Sequence, residues 1–191
     1  MSIMIDTVIA EALEVLKRGG VILYPTDTVW GIGCDATNEA AVARVFEIKR
    51  RSEAKSLVLL ACDLDMIAKH IKEIPNIAID LVEVNDAPMT IIYPGAQYLA
   101  PNVVAEDGSV GIRIPLNDFC VKLVRKLRRP LVSTSANISG EETPTCFAEI
   151  SPEIVSAVDY VVPAALERDS TGRASQIIKI GLRGEVEIIR P

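Results

Sequence analysis

Aromatic residues make up only 4% of this 191-residue chain, and Trp30 is its single tryptophan. A core built from it rests on Val, Ile, Leu and Ala, within a hydrophobic share of 49%. Histidine occurs once, at His70, which reads as a solvated residue near a helix end. The four cysteines, Cys34, Cys62, Cys120 and Cys146, contain no C-x-x-C pair. That scarcity disfavours a Cys/His zinc site and gives no basis for a Ser-His-Asp triad, so no metal ligands are expected. Buried thiols in a reducing compartment fit instead. No apolar run is long enough to span a bilayer, and MSIMIDTVIAEAL at the start has no basic segment or cleavage signal. The expectation is a soluble cytoplasmic protein without a membrane role. Positive charge is also short: the net charge of −6 argues against a protein that coats nucleic acid, while leaving room for a local basic patch. Neither a P-loop nor a G-x-G-x-x-G run is present.

What the chain does contain is one long sequence of alternating elements. Its length can bury one substantial core, and no linker, repeat or low-complexity segment divides it, so residues 1–191 are expected to form a single domain. Apolar positions at Val8, Ile9, Ala12, Leu13 and Leu16 predict a helix over 6–18, capped by Asp6 or Thr7 and ended by Gly19-Gly20. A buried strand at 21–24, a helix at 38–49 and a strand at 56–61 follow. Asp63 caps a helix through His70, and a further helix covers 77–84. Strands are expected at 89–93 and 109–114, a helix capped by Asn117 at 118–129, and a brief strand at Leu131-Val132. Ser151-Pro152-Glu153 is a helix start, residues 159–163 read as a strand, and 175–180 with 185–189 read as a hairpin. Helices and strands mix without strict alternation. The predicted fold class is therefore α/β, an open twisted sheet of mixed direction with flanking helices.

Three stretches carry chemistry. YPTDTVWGIG (24–33) is a polar turn between apolar runs, offering oxygens from Thr26, Asp27 and Thr28. KRRSEAK (49–55) gathers Lys49, Arg50, Arg51 and Lys55 between a helix and a strand. It reads either as a solvated helix end or as an anion loop, in which Arg51 could grip a phosphate or carboxylate bidentately. STSANISG (133–140) is read as a turn dense in hydroxyls and amides, either an ordinary polar turn or an anion-binding concavity. In GIRIP (111–115), Arg113 sits among apolar neighbours, so it either makes a structural ion pair or anchors a substrate carboxylate. The cations at 122–129 read as a solvated helix face.

Taken together, PTDTVWGIG, KRRSEAK, GIRIP and STSANISG resemble, in order and spacing, the YrdC/TsaC family of threonylcarbamoyl-AMP synthases. The resemblance covers nearly the whole chain. It implies a YrdC-like fold in the short, single-domain form. The reaction it implies is a nucleotidyl transfer: L-threonine, bicarbonate or CO2 and ATP give threonylcarbamoyl-AMP and pyrophosphate, with Mg2+ sharing the triphosphate charge. The product serves the modification of adenosine 37 in tRNA through downstream tRNA threonylcarbamoyl-transfer proteins. By resemblance, Lys49, Arg51, Lys55, Ser109, Ser135, Asn137, Thr143 and Arg190 fall on ATP-side positions. Thr28, Arg113, Ser133 and Ser175 fall on threonine-side positions. No residue is singled out as a catalytic acid or base, which suits a transfer that needs positioning and cations.

The sequence departs from the family at NDAPMT (85–90), where members often carry Trp-Pro-Gly-Pro-x-Thr, and at Leu60, where some carry a histidine. It also lacks the length of the long form with its extra C-terminal domain. Two other readings compete with the synthase. One is a carbamoyl-transfer role like the YrdC-like module of hydrogenase-maturation proteins. The other is a double-stranded RNA-binding module using the basic residues at 44–55 and 122–129, and a weak RNA contact is also compatible with the synthase.

Overall fold

A computed structural model describes residues 2–52, 57–168 and 170–191. Helix α1 spans Ser2–Lys17, ahead of the expected cap at Asp6 or Thr7; no proline or glycine interrupts residues 2–17. It is followed by strands β1 (Ile22–Tyr24) and β2 (Gly31–Gly33), helix α2 (Glu39–Lys49) and strand β3 (Val58–Leu60). Helices α3 (Leu64–His70) and α4 (Asn76–Val84) precede strands β4 (Met89–Tyr93) and β5 (Val110–Arg113). Then come α5 (Asp118–Leu127), β6 (Leu131–Ser135), α6 (Pro152–Ala157), β7 (Tyr160–Val161), and the pair β8 (Gln176–Ile180) and β9 (Val186–Arg190).

The helix starts are set locally. The side chains of Asn38, Asp63 and Asn117 accept from the backbone N–H groups of Ala41, Met66 and Cys120 at 3.1, 2.9 and 3.0 Å. Each satisfies a donor that the first helical turn leaves without a partner. Helices α2 and α5 stop where Arg50 and Arg128 turn left-handed, at φ 49° and 60°.

The described strands form one open mixed sheet in the order β7-β1-β2-β6-β3-β5-β4-β8-β9. The β1–β7, β3–β5 and β4–β8 pairs are parallel; the other pairs are antiparallel. Alternation of side chains along the strands splits the core between the two faces. Ile22, Tyr24, Leu60 and Leu131 join α1 and α5 on one face. Leu23, Leu59 and Val132 join α2 and α3 on the other. Helix α5 buries Phe119, Cys120, Leu123, Val124 and Leu127, each large side chain contributing about 1.5–3 kcal/mol.

Two expectations need correction. His70 is buried, not solvated: 2% of it is exposed, and its Nδ1 lies 3.3 Å from the Gln97 carbonyl oxygen. The segment 95–97 folds back over the end of α3, pairing Lys72 with Gly95 and Gln97 with His70. The strand at 131–132 continues through Ser135, because Ser133 is paired by Val58 on one side and Thr134 and Ser135 by Ile32 and Gly31 on the other. Pairing on both sides overrides the polar composition. Glycine at position 33 lets β1, β2 and β6 approach, since a Cβ there would lie 2.3 Å from the Val132 carbonyl oxygen and 2.7 Å from the Tyr24 ring.

Candidate functional site

The ends of β5, β6 and β8 meet the 25–30 turn around a cleft of about 210 Å³. Its lining includes Thr28, Arg51, Arg113, Ser133, Ser135, Ser175 and Arg190, seven of the twelve residues named from the sequence. Trp30, Gly31, Leu57, Val58 and Ile177 supply much of the apolar wall. Among the described residues the lining has three arginines and no carboxylate, a polarity suited to an anion. Burial lowers the pKa of Arg51 and of Arg190, and both stay cationic because a guanidinium holds its proton.

Arg113 is 4% exposed and works within a hydrogen-bonded cluster. Its Nη1 donates to Asp27 Oδ1 at 2.7 Å, and its Nη2 donates to Thr28 Oγ1 at 3.1 Å and Thr26 Oγ1 at 3.4 Å. The other Asp27 oxygen accepts from the Leu116 N–H at 3.0 Å, tying the early turn to the chain beyond β5. Thr26 donates its hydroxyl proton to the Val29 carbonyl at 2.7 Å and accepts from the Thr28 N–H at 3.0 Å, and the two threonine hydroxyls lie 2.9 Å apart.

Lys49 is held elsewhere. Its ammonium is 1% exposed and donates to the Ser135 and Asn137 carbonyl oxygens at 2.5 and 2.7 Å. The end of α2 is thus fastened to the segment after β6, and the two sequence motifs become neighbours. Burial, and then the charge of Arg51, push the Lys49 pKa down to about 8. The Asn137 side chain donates to the Ile138 and Glu141 carbonyls, both at 3.0 Å, bracing the loop rather than lining the cleft.

The remaining sequence candidates fall in different places. Ser109 lines an adjoining cavity of about 460 Å³, which shares Leu57, Val58 and Ile177 with the first. Its hydroxyl donates to Asp107 at 2.5 Å, and Asp107 also pairs with Lys179 at 2.7 Å; Lys179 first, then Ser109, hold that carboxylate down at about 2. Thr143 is exposed and lines neither cavity. Lys55 lies outside the described residues.

Sequence reasoning named Ser175 but missed the segment before it, 170–174, as one wall of the cleft. Thr171 N and Gly172 N donate to the Asp27 and Thr28 carbonyls at 3.0 and 2.9 Å, and Ser170 Oγ donates to the Thr28 carbonyl. This strap brings Ala174 and Ser175 to the cleft. The small-residue run STGRAS, with Gly172 at φ 63°, was the available signal. Trp30 was also given no role; it lines the cleft and tilts against Phe147, with ring centroids 5.0 Å apart.

Four of the basic residues in the runs that suggested RNA binding pair with acids. Arg44 pairs with Asp159 at 2.6 Å, Arg129 with Asp35 at 2.7 Å, Lys122 with Asp118 at 3.7 Å, and Arg50 with Glu153. Among the described residues no helix is long and apolar enough to cross a membrane, and no three His, Cys, Asp or Glu side chains converge on a metal position.

Comparison with known proteins bears on the cleft. The family model Sua5_yciO_yrdC, described as "Telomere recombination", matches residues 14–191. A Hahella chejuensis protein named threonylcarbamoyl-AMP synthase is 33% identical over 159 residues, covering 83% of this chain and 86% of the relative. A Xanthomonas euvesicatoria protein of the same name is 35% identical over 163 residues, covering 83% and 87%. Among solved structures, P. abyssi Sua5 complexed with L-threonine superposes with a TM-score of 0.80 at 26% identity. That match covers 90% of this chain and 50% of the Sua5 chain, so the chain spans half the length of that relative.

Proposed function

This chain belongs to the Sua5/YciO/YrdC family, and on that premise we propose that it is a threonylcarbamoyl-AMP synthase. It converts L-threonine, bicarbonate or CO2 and ATP into threonylcarbamoyl-AMP and pyrophosphate. The observation that carries this reading is the gathering of Thr28, Arg51, Arg113, Ser133, Ser135, Ser175 and Arg190 around one cleft. The names of the curated relatives and the threonine bound to P. abyssi Sua5 support it.

The buried end of the cleft takes the amino acid. A guanidinium has five N–H donors, and three contacts hold Arg113 in place, so it retains donors for the threonine carboxylate. Thr28, Ser133 and Ser175 add hydroxyls. A volume of about 210 Å³ is below the roughly 300–1,000 Å³ typical of larger ligands, which suits an amino acid. ATP takes the more open side, with its phosphates near Arg51, Ser135 and Arg190 and its nucleoside reaching the adjoining cavity at Ser109. Lys49 and Asn137 hold that side in shape, and Lys55 and Thr143 complete the proposed nucleotide contacts.

The chemistry follows as nucleotidyl transfer. The neutral threonine amine takes up CO2 to give a carbamate anion and a proton. A carbamate oxygen then attacks the α-phosphorus, and pyrophosphate leaves. Negative charge builds on the phosphoryl oxygens, so fixed guanidinium groups stabilise that state without a protein acid or base. The walls of Trp30, Leu57 and Val58 restrict water, which would otherwise consume the carbamate or the adenylate. The described side chains do not make a metal site, so Mg2+ enters as the ion that ATP carries, and no residue is assigned to it.

The connected sheet supports residues 1–191 as one YrdC-like domain. The proposal places the enzyme in the cytoplasm, handing its adenylate to a tRNA threonylcarbamoyl-transfer partner, with at most weak contact to RNA. The test is pyrophosphate release from ATP. It should require both L-threonine and bicarbonate, and Arg51→Ala or Lys55→Ala should nearly abolish it while the circular dichroism spectrum is unchanged. Release that is indifferent to threonine would refute the synthase reading; a fully active double variant would refute the site.

A further inference from the structure

Thr90 lies on β4 and is fully buried, and Ser175, 6% exposed, directly precedes β8. Their hydroxyl oxygens are 2.8 Å apart. Ser175 lines the 210 Å³ cleft, whereas Thr90 lines the 460 Å³ cavity, and Leu57, Val58 and Ile177 line both. The hydroxyl pair therefore belongs to the partition between the two spaces.

Both residues are held. A Cβ on Gly111 would lie 3.3 Å from the Thr90 methyl carbon, so the methyl of Thr90 packs over a glycine in β5. A β-branched side chain pinned at its methyl has its hydroxyl direction fixed as well. The Ser175 carbonyl accepts from Arg190 Nε at 2.8 Å, so Ser175 is gripped at its backbone and at its side chain.

We propose that Thr90 is a positioning residue for the amino-acid half of the cleft, an inference that rests on the synthase reading above. A serine hydroxyl has three staggered positions to choose from, and the contact with Thr90 selects one. Each hydroxyl brings one proton, and only one proton lies between the two oxygens. When Thr90 donates that proton, Ser175 keeps its own for a ligand acceptor in the cleft. Thr90 thereby sets both the direction and the donor character of Ser175 without touching the amino acid.

The test compares Thr90→Val, Thr90→Ser, Ser175→Ala and the Thr90→Val/Ser175→Ala double variant. Threonine binding is read from the fluorescence of Trp30, the chain's single tryptophan and a wall of the same cleft, alongside KM values from pyrophosphate release. Thr90→Val should raise the Kd and KM for L-threonine about tenfold, the loss of one hydrogen bond, and leave kcat and the KM for ATP within about twofold. Thr90→Ser should restore threonine binding. The double variant should be no worse than Ser175→Ala, since the two residues act as one unit. Losses that add in the double variant, no rescue by serine, or equal losses for threonine and ATP would each overturn the assignment. A wild-type protein with no threonine response would instead overturn the synthase reading, and this inference with it.

Discussion

Replacing Asp27 by alanine takes the partner from a guanidinium that the fold has already removed from water. The side chains of Arg113 and Asp27 are 3% and 5% exposed, and their contact is 2.7 Å. Removing one member of such a pair leaves an uncompensated buried charge, at a cost of about 3–5 kcal/mol. Two features move the expected value in opposite directions. Thr26 and Thr28 still accept from Nη2, which favours the lower end. The Leu116 N–H loses its acceptor, which adds about 1–3 kcal/mol if water does not replace it. For a chain of this length each kcal/mol shifts Tm by about 2–4 °C, so Asp27→Ala should melt roughly 6–20 °C below wild type. Urea unfolding followed by circular dichroism should show the same loss in the midpoint. The companion variant, Asp27→Ala with Arg113→Met, removes both charges and should recover much of the stability while threonine-dependent turnover stays lost. The reasoning fails if Asp27→Ala melts within about 2 °C of wild type, or if the double variant is less stable than the single one.

Three further outcomes follow from the same geometry. Thr28→Val keeps the shape but removes the oxygen that accepts from Arg113; the KM for L-threonine should rise about tenfold with that for ATP little changed, and equal losses would contradict its threonine-side role. Gly33→Ala forces a Cβ to within 2.3 Å of the Val132 carbonyl, so overpacking should cost about 1–3 kcal/mol, visible as a lower Tm with the kinetics of the surviving fold retained. Burial depresses the pKa of His70 below its ordinary 6.5. The unfolded chain then takes up a proton before the folded one does, so this contribution to stability is complete above pH 6.5 and is lost as pH falls below it. Urea midpoints measured across that window should decline more steeply for wild type than for His70→Gln, and parallel curves would show that His70 is not the group responsible.

Within the candidate site, the legible part was its inventory. Hydroxyls in the 24–33 stretch, cations at 49–51, Arg113 and the serines of 133–135 could be picked out because small polar residues next to apolar strands are unusual and must face either a partner or a ligand. Their employment was less legible. Lys49 reads as an anion-binding charge, yet its ammonium goes to two backbone carbonyls 86 and 88 residues away. Arg113 left a choice between an ion pair and a substrate anchor; the pair with Asp27 exists, and the same side chain also lines the cleft. The strap at 170–174 offered little beyond small residues, because two of its three hydrogen bonds to residues 27 and 28 run from backbone N–H groups, which leave no trace in side-chain identity.

By itself the amino-acid sequence determined the local elements of this protein. Asn38, Asp63, Asn117 and Ser151 cap helices through bonds to residues three positions on, and the apolar period of 118–127 selects the buried face of α5, since such signals depend only on near neighbours. Tertiary structure alone decided the strand order, the extension of β6 through Ser135, the burial of His70 and the meeting of Asp27 with Arg113. Each of these depends on which distant backbone arrives alongside, and no short-range preference of the chain encodes that arrival.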